Sequence, residues 1–373
     1  MAHRPVYTGR TSIMHGFALK PGETPPGEGS NSWWGSRSLA LPEGTREIPV
    51  RLQAEDGAHS GGILYMRGGE KTAIVFNQQW ADFSSHYLAP LLVAGGYAVF
   101  GGQTRHLGND VNCEHECLLA DVAAQIRFLR AAGFDKVILG GNSGGGPIST
   151  FYMAQAMTAP PGRLTDTAAG DPYDLNALDL PPADGVVLIA AAVSQGVLGM
   201  ENLDPSVTDE ADPLSCDPAL DMFDPANGYR APPESSSYSP EFLARYRAAQ
   251  RERCARIDAR ARAEVERKRT ATARMQEPGF AGLPLAERNR IQRLASASSL
   301  ITIYRTAANP AVTDLSISPS KRMVAGLMNP DAQAANWSLP GFVSVMTAEG
   351  WLSTWSGLST RVDMYEDVKR FDQ

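Results

Sequence analysis

An α/β fold built on a mostly parallel, doubly wound sheet is what this chain predicts, and three observations predict it. Continuous apolar runs of strand length recur: KTAIVFN at 71–77, YAVFGGQ at 97–103, KVILGG at 136–141 and GVVLIAAAV at 185–193. Such runs suit strands covered on both faces by helices. Segments of helical periodicity alternate with them, the order that right-handed crossovers turn into a parallel sheet. A glycine-rich turn after KVILGG leads directly into the helix-like PISTFYMAQAM at 147–157.

Taken in order, residues 1–45 are rich in Gly, Pro and Ser and read as an irregular arm that Trp33 and Trp34 pin to the body. REIPVRLQA from Arg46 and GGILYMRG after the Asp56-Gly57 turn signal predict an antiparallel pair. Ser84 is placed to cap a short helix through Tyr87, Leu88, Leu91 and Leu92, stopped at Gly95-Gly96. Leu118, Val122, Ile126 and Leu129 form one apolar helix face, and Gly133 ends that helix.

The pattern changes after Gln195. Asp-Pro pairs at Asp204, Asp212, Asp217 and Asp224 lack the order of a calcium loop and read as caps of turns or short helices. Ser239-Pro240-Glu241 starts a long helix. Eleven Lys and Arg against five Asp and Glu lie between Glu241 and Arg274. The apolar stripe there is narrow: Leu243, Tyr246, Cys254, Ile257, Ala261 and Val265. Most of that helix is expected to face water rather than an anionic partner. SLITIYRT at 299–306 and AVTDLSI at 311–317 suggest a small hairpin around Asn309-Pro310.

Composition narrows the function. Hydrophobic residues make up 43% of the 373 residues and charged residues 20%, which is globular composition. Lys and Arg total 34 against 41 Asp and Glu, a net charge of −7, which argues against nucleic-acid binding. No apolar run approaches the ~20 residues of a membrane span. Met1 to Lys20 lacks a secretory pattern, and four cysteines are too few for a disulfide scaffold. The expectation is a cytoplasmic enzyme. Cys113-Glu114-His115-Glu116-Cys117 does not make a zinc site, because on a helix His115 points away from the two cysteines and no second pair completes a tetrahedral set. No metal or cofactor is expected.

The chemistry concentrates at Gly141-Asn142-Ser143-Gly144-Gly145, which fits the G-x-S-x-G nucleophile elbow in its required context of strand, sharp turn and helix. A serine on a strained turn needs small residues two positions either side. A phosphate-binding loop is excluded because no Gly-Lys-Ser/Thr follows. Residues 46–195 resemble the first six strands of the α/β-hydrolase fold, and the segment after them resembles its cap insertion. Arg105-His106-Leu107-Gly108 resembles the Arg-Gly-His-Gly loop after the fourth strand. The resemblance implies a core at 46–198 and 346–373, a mainly helical cap at 199–345, and Trp351 to Trp355 in the helix returning to the core. It implies Ser143 as nucleophile and Gly144 N–H as half of the oxyanion hole. The second donor would be Gln78 or Gln79, in a loop where many relatives carry His-Gly. Trp80 and Asn142 are the candidate substrate-binding residues.

That family's order is nucleophile, acid, histidine. The six histidines here, His3, His15, His59, His86, His106 and His115, all precede Ser143. Three readings follow. The chain stops at Phe371-Asp372-Gln373, where a seventh strand would be expected, so the acid and base belong to a missing part. An upstream histidine substitutes, although His106, at the end of the fourth strand, is separated from the fifth by the third. Or the protein is a noncatalytic binding or scaffold relative. The first is favoured, because GVVLIAAAV looks central and an unpaired edge there would be prone to aggregate. The implied activity is hydrolysis of an ester, thioester or amide of a small-molecule acyl substrate, impaired in this chain. The open edge suggests a homo-oligomer or a complementing C-terminal fragment.

Overall fold

The computed structural model describes residues 40–318, 331–337 and 344–371; Trp33 and Trp34 lie outside the described residues. Six strands form the central sheet: β1 (Arg46–Gln53), β2 (His59–Met66), β3 (Thr72–Phe76), β4 (Ala98–Gln103), β5 (Lys136–Asn142) and β6 (Gly185–Ile189). Their order is β1-β2-β4-β3-β5-β6, with β2 antiparallel to both neighbours and β4, β3, β5 and β6 mutually parallel. This is the strand order and direction of the α/β-hydrolase fold.

Side-chain alternation along the strands feeds two cores. Ala73, Val75, Phe100, Val137 and Leu139 point to one face, where they meet α2 (His115–Ala131) and α3 (Gly145–Met157). Phe76, Val99 and Tyr65 point to the other, against Ala89 and Val93 of α1 (Ala89–Ala94). The face read for the second helix, Leu118, Val122, Ile126 and Leu129, is buried throughout. Gly133 ends the turn beyond it at φ 93°.

Three expectations are corrected. The first helix begins at Ala89, not near Ser84, with Pro90 in its first turn. Ser84 is tied to the sheet instead: its carbonyl accepts the Tyr65 hydroxyl at 2.7 Å and presses on Gly101, where a Cβ would come within 2.4 Å of that oxygen. The second correction concerns 185–193. Pairing stops at Ile189, and Val187 and Leu188 are 50% and 42% exposed, so this strand is not buried on both faces. β6 is the sheet's edge, and no described strand pairs with its outer side. In the third, Leu300–Thr302 (β7) pairs with Val345–Thr347 (β8), and not with 311–317. Asn309 caps a single helical turn at Pro310–Val312, which consumes the residues a hairpin would need.

The Asp-Pro pairs do cap turns. Asp217 and Asp224 each accept the N–H two residues on at the start of a short helical turn, and Asp204 and Asp212 close loops the same way. α4 (Gln195–Asn202) leaves the sheet after β6. α5 (Pro240–Met275) starts on Ser239, whose hydroxyl accepts from Phe242 N, and α6 (Leu285–Ser296) packs back against it. Tyr246, Cys254, Ile257, Ala261 and Val265 form the buried stripe of α5, while its mostly basic remainder faces out. No helix among the described residues is long and apolar enough to cross a membrane.

Candidate active site

β5 delivers the chain into the turn Asn142-Ser143-Gly144, and α3 begins immediately after. Ser143 has φ 53°, left-handed backbone that costs a non-glycine residue about 1–3 kcal/mol and persists only where the surroundings enforce it. Here they do. Ser143 N donates to Ile189 O at 3.2 Å, and Ser143 O accepts from Ala192 N at 3.0 Å and Gly146 N at 3.1 Å. The flanking glycines are required sterically. A Cβ on Gly141 would stand 2.8 Å from Gly146 Cα, one on Gly146 2.4 Å from Ala191 Cβ, and one on Gly145 2.0 Å from Asn77 O. Ser143 is half-buried, and its hydroxyl makes no hydrogen bond to a described residue.

The loop after β3 is built to stay fixed. Gln78 Oε1 accepts from Trp80 N at 2.9 Å and Ala81 N at 2.7 Å, curling the chain around its own side chain. Gln79 Nε2 donates to Gly144 O at 2.8 Å, and Gln79 O accepts from Thr104 Oγ1 at 2.5 Å. Both glutamines are buried, and both lie beside Gly144. A Cβ on Gly144 would meet Gln79 Oε1 at 2.6 Å and Gln78 Nε2 at 3.1 Å. It would also meet Gln195 Nε2 at 2.3 Å. The backbone N–H groups of Gln78, Gln79 and Gly144 make no hydrogen bond among the described residues. These are unspent donors of the kind that stabilise a developing oxyanion.

Gln195 was not singled out from the sequence. Its position held a signal all the same: it follows the last strand of a parallel sheet, where ligand-facing residues gather. Trp80 is half-buried with its ring 5.2 Å from that of Trp355, which closes the loop against the apolar cluster of Trp351, Leu352 and Trp355. Asn142 departs from its expected role in substrate binding. Its Nδ2 donates to Ile189 O at 2.9 Å and its Oδ1 faces His86 Nε2 at 3.2 Å, so both ends of the amide brace the elbow from behind.

The buried histidines that could replace a downstream base are packed away from Ser143 or make no bond to it. His86 stacks on Phe76 with ring centroids 3.8 Å apart, and burial pushes its pKa down to about 4 against the weaker opposing bond from Asn142. Burial, then the Arg105 charge, lowers His106 to about 4. His115 is fully buried at the start of α2, lowered by burial to about 3, with neither ring nitrogen hydrogen-bonded among the described residues. None of the three bonds to Ser143. Among the described residues no group of three or more His, Cys, Asp or Glu is arranged to hold a metal ion.

No family model and no curated relative matches the chain. Solved structures that it is similar to include esterase B from Lactobacillus rhamnosis, at 19% identity over 43% of this chain and 53% of that one, TM-score 0.32. Another is an esterase from Pyrococcus furiosus, at 17% identity over 33% and 51%, TM-score 0.26. A third is brefeldin A esterase, a bacterial homologue of human hormone-sensitive lipase, at 16% identity over 33% and 38%, TM-score 0.27. The match spans about half the length of the first two esterases.

Proposed function

We propose that the site performs acyl transfer to water: Ser143 attacks the carbonyl of an ester, thioester or amide, and the acyl-enzyme is then hydrolysed. One observation carries the reading. A non-glycine residue is held at φ 53° at the tip of a strand-to-helix turn, and that residue is a serine beside unspent N–H donors. A structural turn would place glycine there at no steric cost. The oxyanion would rest on Gly144 N–H and on a donor from the Gln78-Gln79 loop, and Trp80 would border the acyl group. Residues 199–345 would form the cap that limits substrates to small or medium-sized molecules.

Among the described residues no base hydrogen-bonds to Ser143, and a serine without one is a poor nucleophile. The chain alone is therefore expected to hydrolyse nitrophenyl esters at nearly the rate of its Ser143→Ala variant. Free imidazole supplies a base in solution. Labelling of Ser143 by a fluorophosphonate should rise with imidazole concentration and vanish in Ser143→Ala. Labelling that is absent at every imidazole concentration, or identical in both proteins, would overturn the hydrolase reading. It would favour instead a binding protein on the same fold, a reading motivated by the absence of a hydrogen bond from Ser143 to any described histidine.

A further inference from the structure

The three carboxamides around Gly144 are not equally satisfied. Gln78 spends its oxygen on two backbone N–H groups, and Gln79 spends its nitrogen on Gly144 O. That bond fixes the orientation of the Gln79 amide: its Oε1 lies 2.6 Å from where a Gly144 Cβ would stand and has no hydrogen-bond partner. Gln195 is more exceptional. It is 3% exposed, its Oε1 has no partner, and its Nε2 lies over the Gly144 Cα without a described acceptor. A buried amide left unbonded is costly and is rarely kept without a ligand to satisfy it.

Its position is enforced. Ser194 caps α4 by accepting from Gly196 N at 3.2 Å, and Gly196 is pressed so tightly on the 351–356 segment that a Cβ would fall 2.6 Å from Ser356 O. Gln195 is thus held at the start of α4, with its amide against the residue that follows the nucleophile.

We propose that Gln195 is a substrate-positioning residue, and that the acyl group carries a hydrogen-bond donor, a hydroxyl or N–H, on the carbon next to its carbonyl. This rests on the acyl-transfer reading of Ser143. With the carbonyl oxygen on Gly144 N–H, the adjacent carbon lies beside the wall formed by Gln79 and Gln195. A donor there satisfies the two waiting oxygens, and Gln195 Nε2 can donate in return to the same substituent. A plain hydrocarbon acyl chain leaves both oxygens unmet, and sites built to bond a polar group reject the analogue that lacks it.

Binding in a Ser143→Ala background separates this from catalysis. Titration calorimetry would compare methyl 2-hydroxybutyrate with methyl butyrate, on Ser143→Ala and on Ser143→Ala with Gln195→Leu. The hydroxy ester is expected to bind at least about tenfold more tightly to the first protein. That preference should fall to near unity in the second, with an unchanged melting temperature. Gln195→Met, closer in length and shape, serves if Gln195→Leu does not fold. Equal affinities, binding of neither ester, or a preference that survives loss of the amide overturns the assignment. Imidazole-dependent labelling of Ser143 without the preference leaves the serine chemistry standing and removes the role of Gln195. The preference without labelling keeps the Gln195 contact and removes the acyl-enzyme.

Discussion

At the scale of single residues, two neighbouring glycines should behave differently although both lie at the elbow. A Cβ on Gly145 would be driven into a backbone carbonyl, Asn77 O, at 2.0 Å, and neither the sheet nor the loop can move aside. Gly145→Ala is expected to cost about 3 kcal/mol or more, read as a lowered midpoint in urea unfolding. Around Gly144 the obstacles are the ends of glutamine side chains, which can swing away. Gly144→Ala should lose only about 1 kcal/mol but should abolish Ser143 labelling, because the new methyl and the glutamine ends it pushes aside crowd the space beside the donors. A variant that unfolds as readily as Gly145→Ala, or that labels normally, would contradict the described geometry. Glu114 offers a test of electrostatics. Burial first, then Glu116, Asp171 and Glu349, raises its pKa from 4.5 to about 7. The folded protein therefore binds a proton that the unfolded chain releases, and the part of the stability that depends on Glu114 is fullest below pH 4.5 and lost as pH rises towards 7. Glu114→Gln removes that loss. Calorimetry should show it more stable than the wild type by up to about 3 kcal/mol at pH 8 and no different near pH 4.5. A difference independent of pH would refute the assignment.

At the scale of elements, one buried cation ties α5 to the loops around it. Arg253 is completely buried, paired with Glu210 through two bonds of 2.8 Å, and donates to the carbonyls of Asp204 and Tyr304 at 2.7 Å each. Arg253→Leu takes donors from one carboxylate and three carbonyls, that of Arg305 at 3.3 Å being the third, and a cost of about 3–5 kcal/mol is expected in chemical unfolding. Ser239→Ala, which removes only the cap at the other end of the interaction scale, should cost about 1 kcal/mol. If both changes cost the same, the Arg253 network does not anchor the helix. The basic residues around it were legible in sequence as a solvated face. Arg253 was not, because periodicity assigns a face to a residue without revealing a carboxylate that arrives from residue 210.

For the molecule as a whole, the β6 edge, which no described strand covers, is a liability. Val187 and Leu188 point to opposite faces of the strand, yet both are largely exposed. Apolar edges of this kind pair with other chains. We expect the protein to self-associate through this edge. Val187→Lys should shift sedimentation towards monomer at tens of micromolar protein. A wild type already monomeric at that concentration would show that β6 is not a pairing surface.

Local signals fixed much of this protein. The apolar runs specified β3, β4 and β5, the four-residue spacing in 118–129 specified the inner face of α2, and the Gly-Asn-Ser-Gly-Gly pentapeptide specified the turn that lifts Ser143. Each depends on a period or a steric demand that spans a few residues. The interest of Gln78 and Gln79 came from the resemblance to the α/β-hydrolase fold, not from any period in the chain. Other features were decided only by folding. Gln195 reaches Gly144 because β6 lies beside β5, Asn142 turns inward because His86 and Ile189 O meet it there, and β7 finds β8 across more than forty residues. A polar side chain's role depends on which partners surround it in space, and residues far apart in the chain supply those partners only when the sheet assembles.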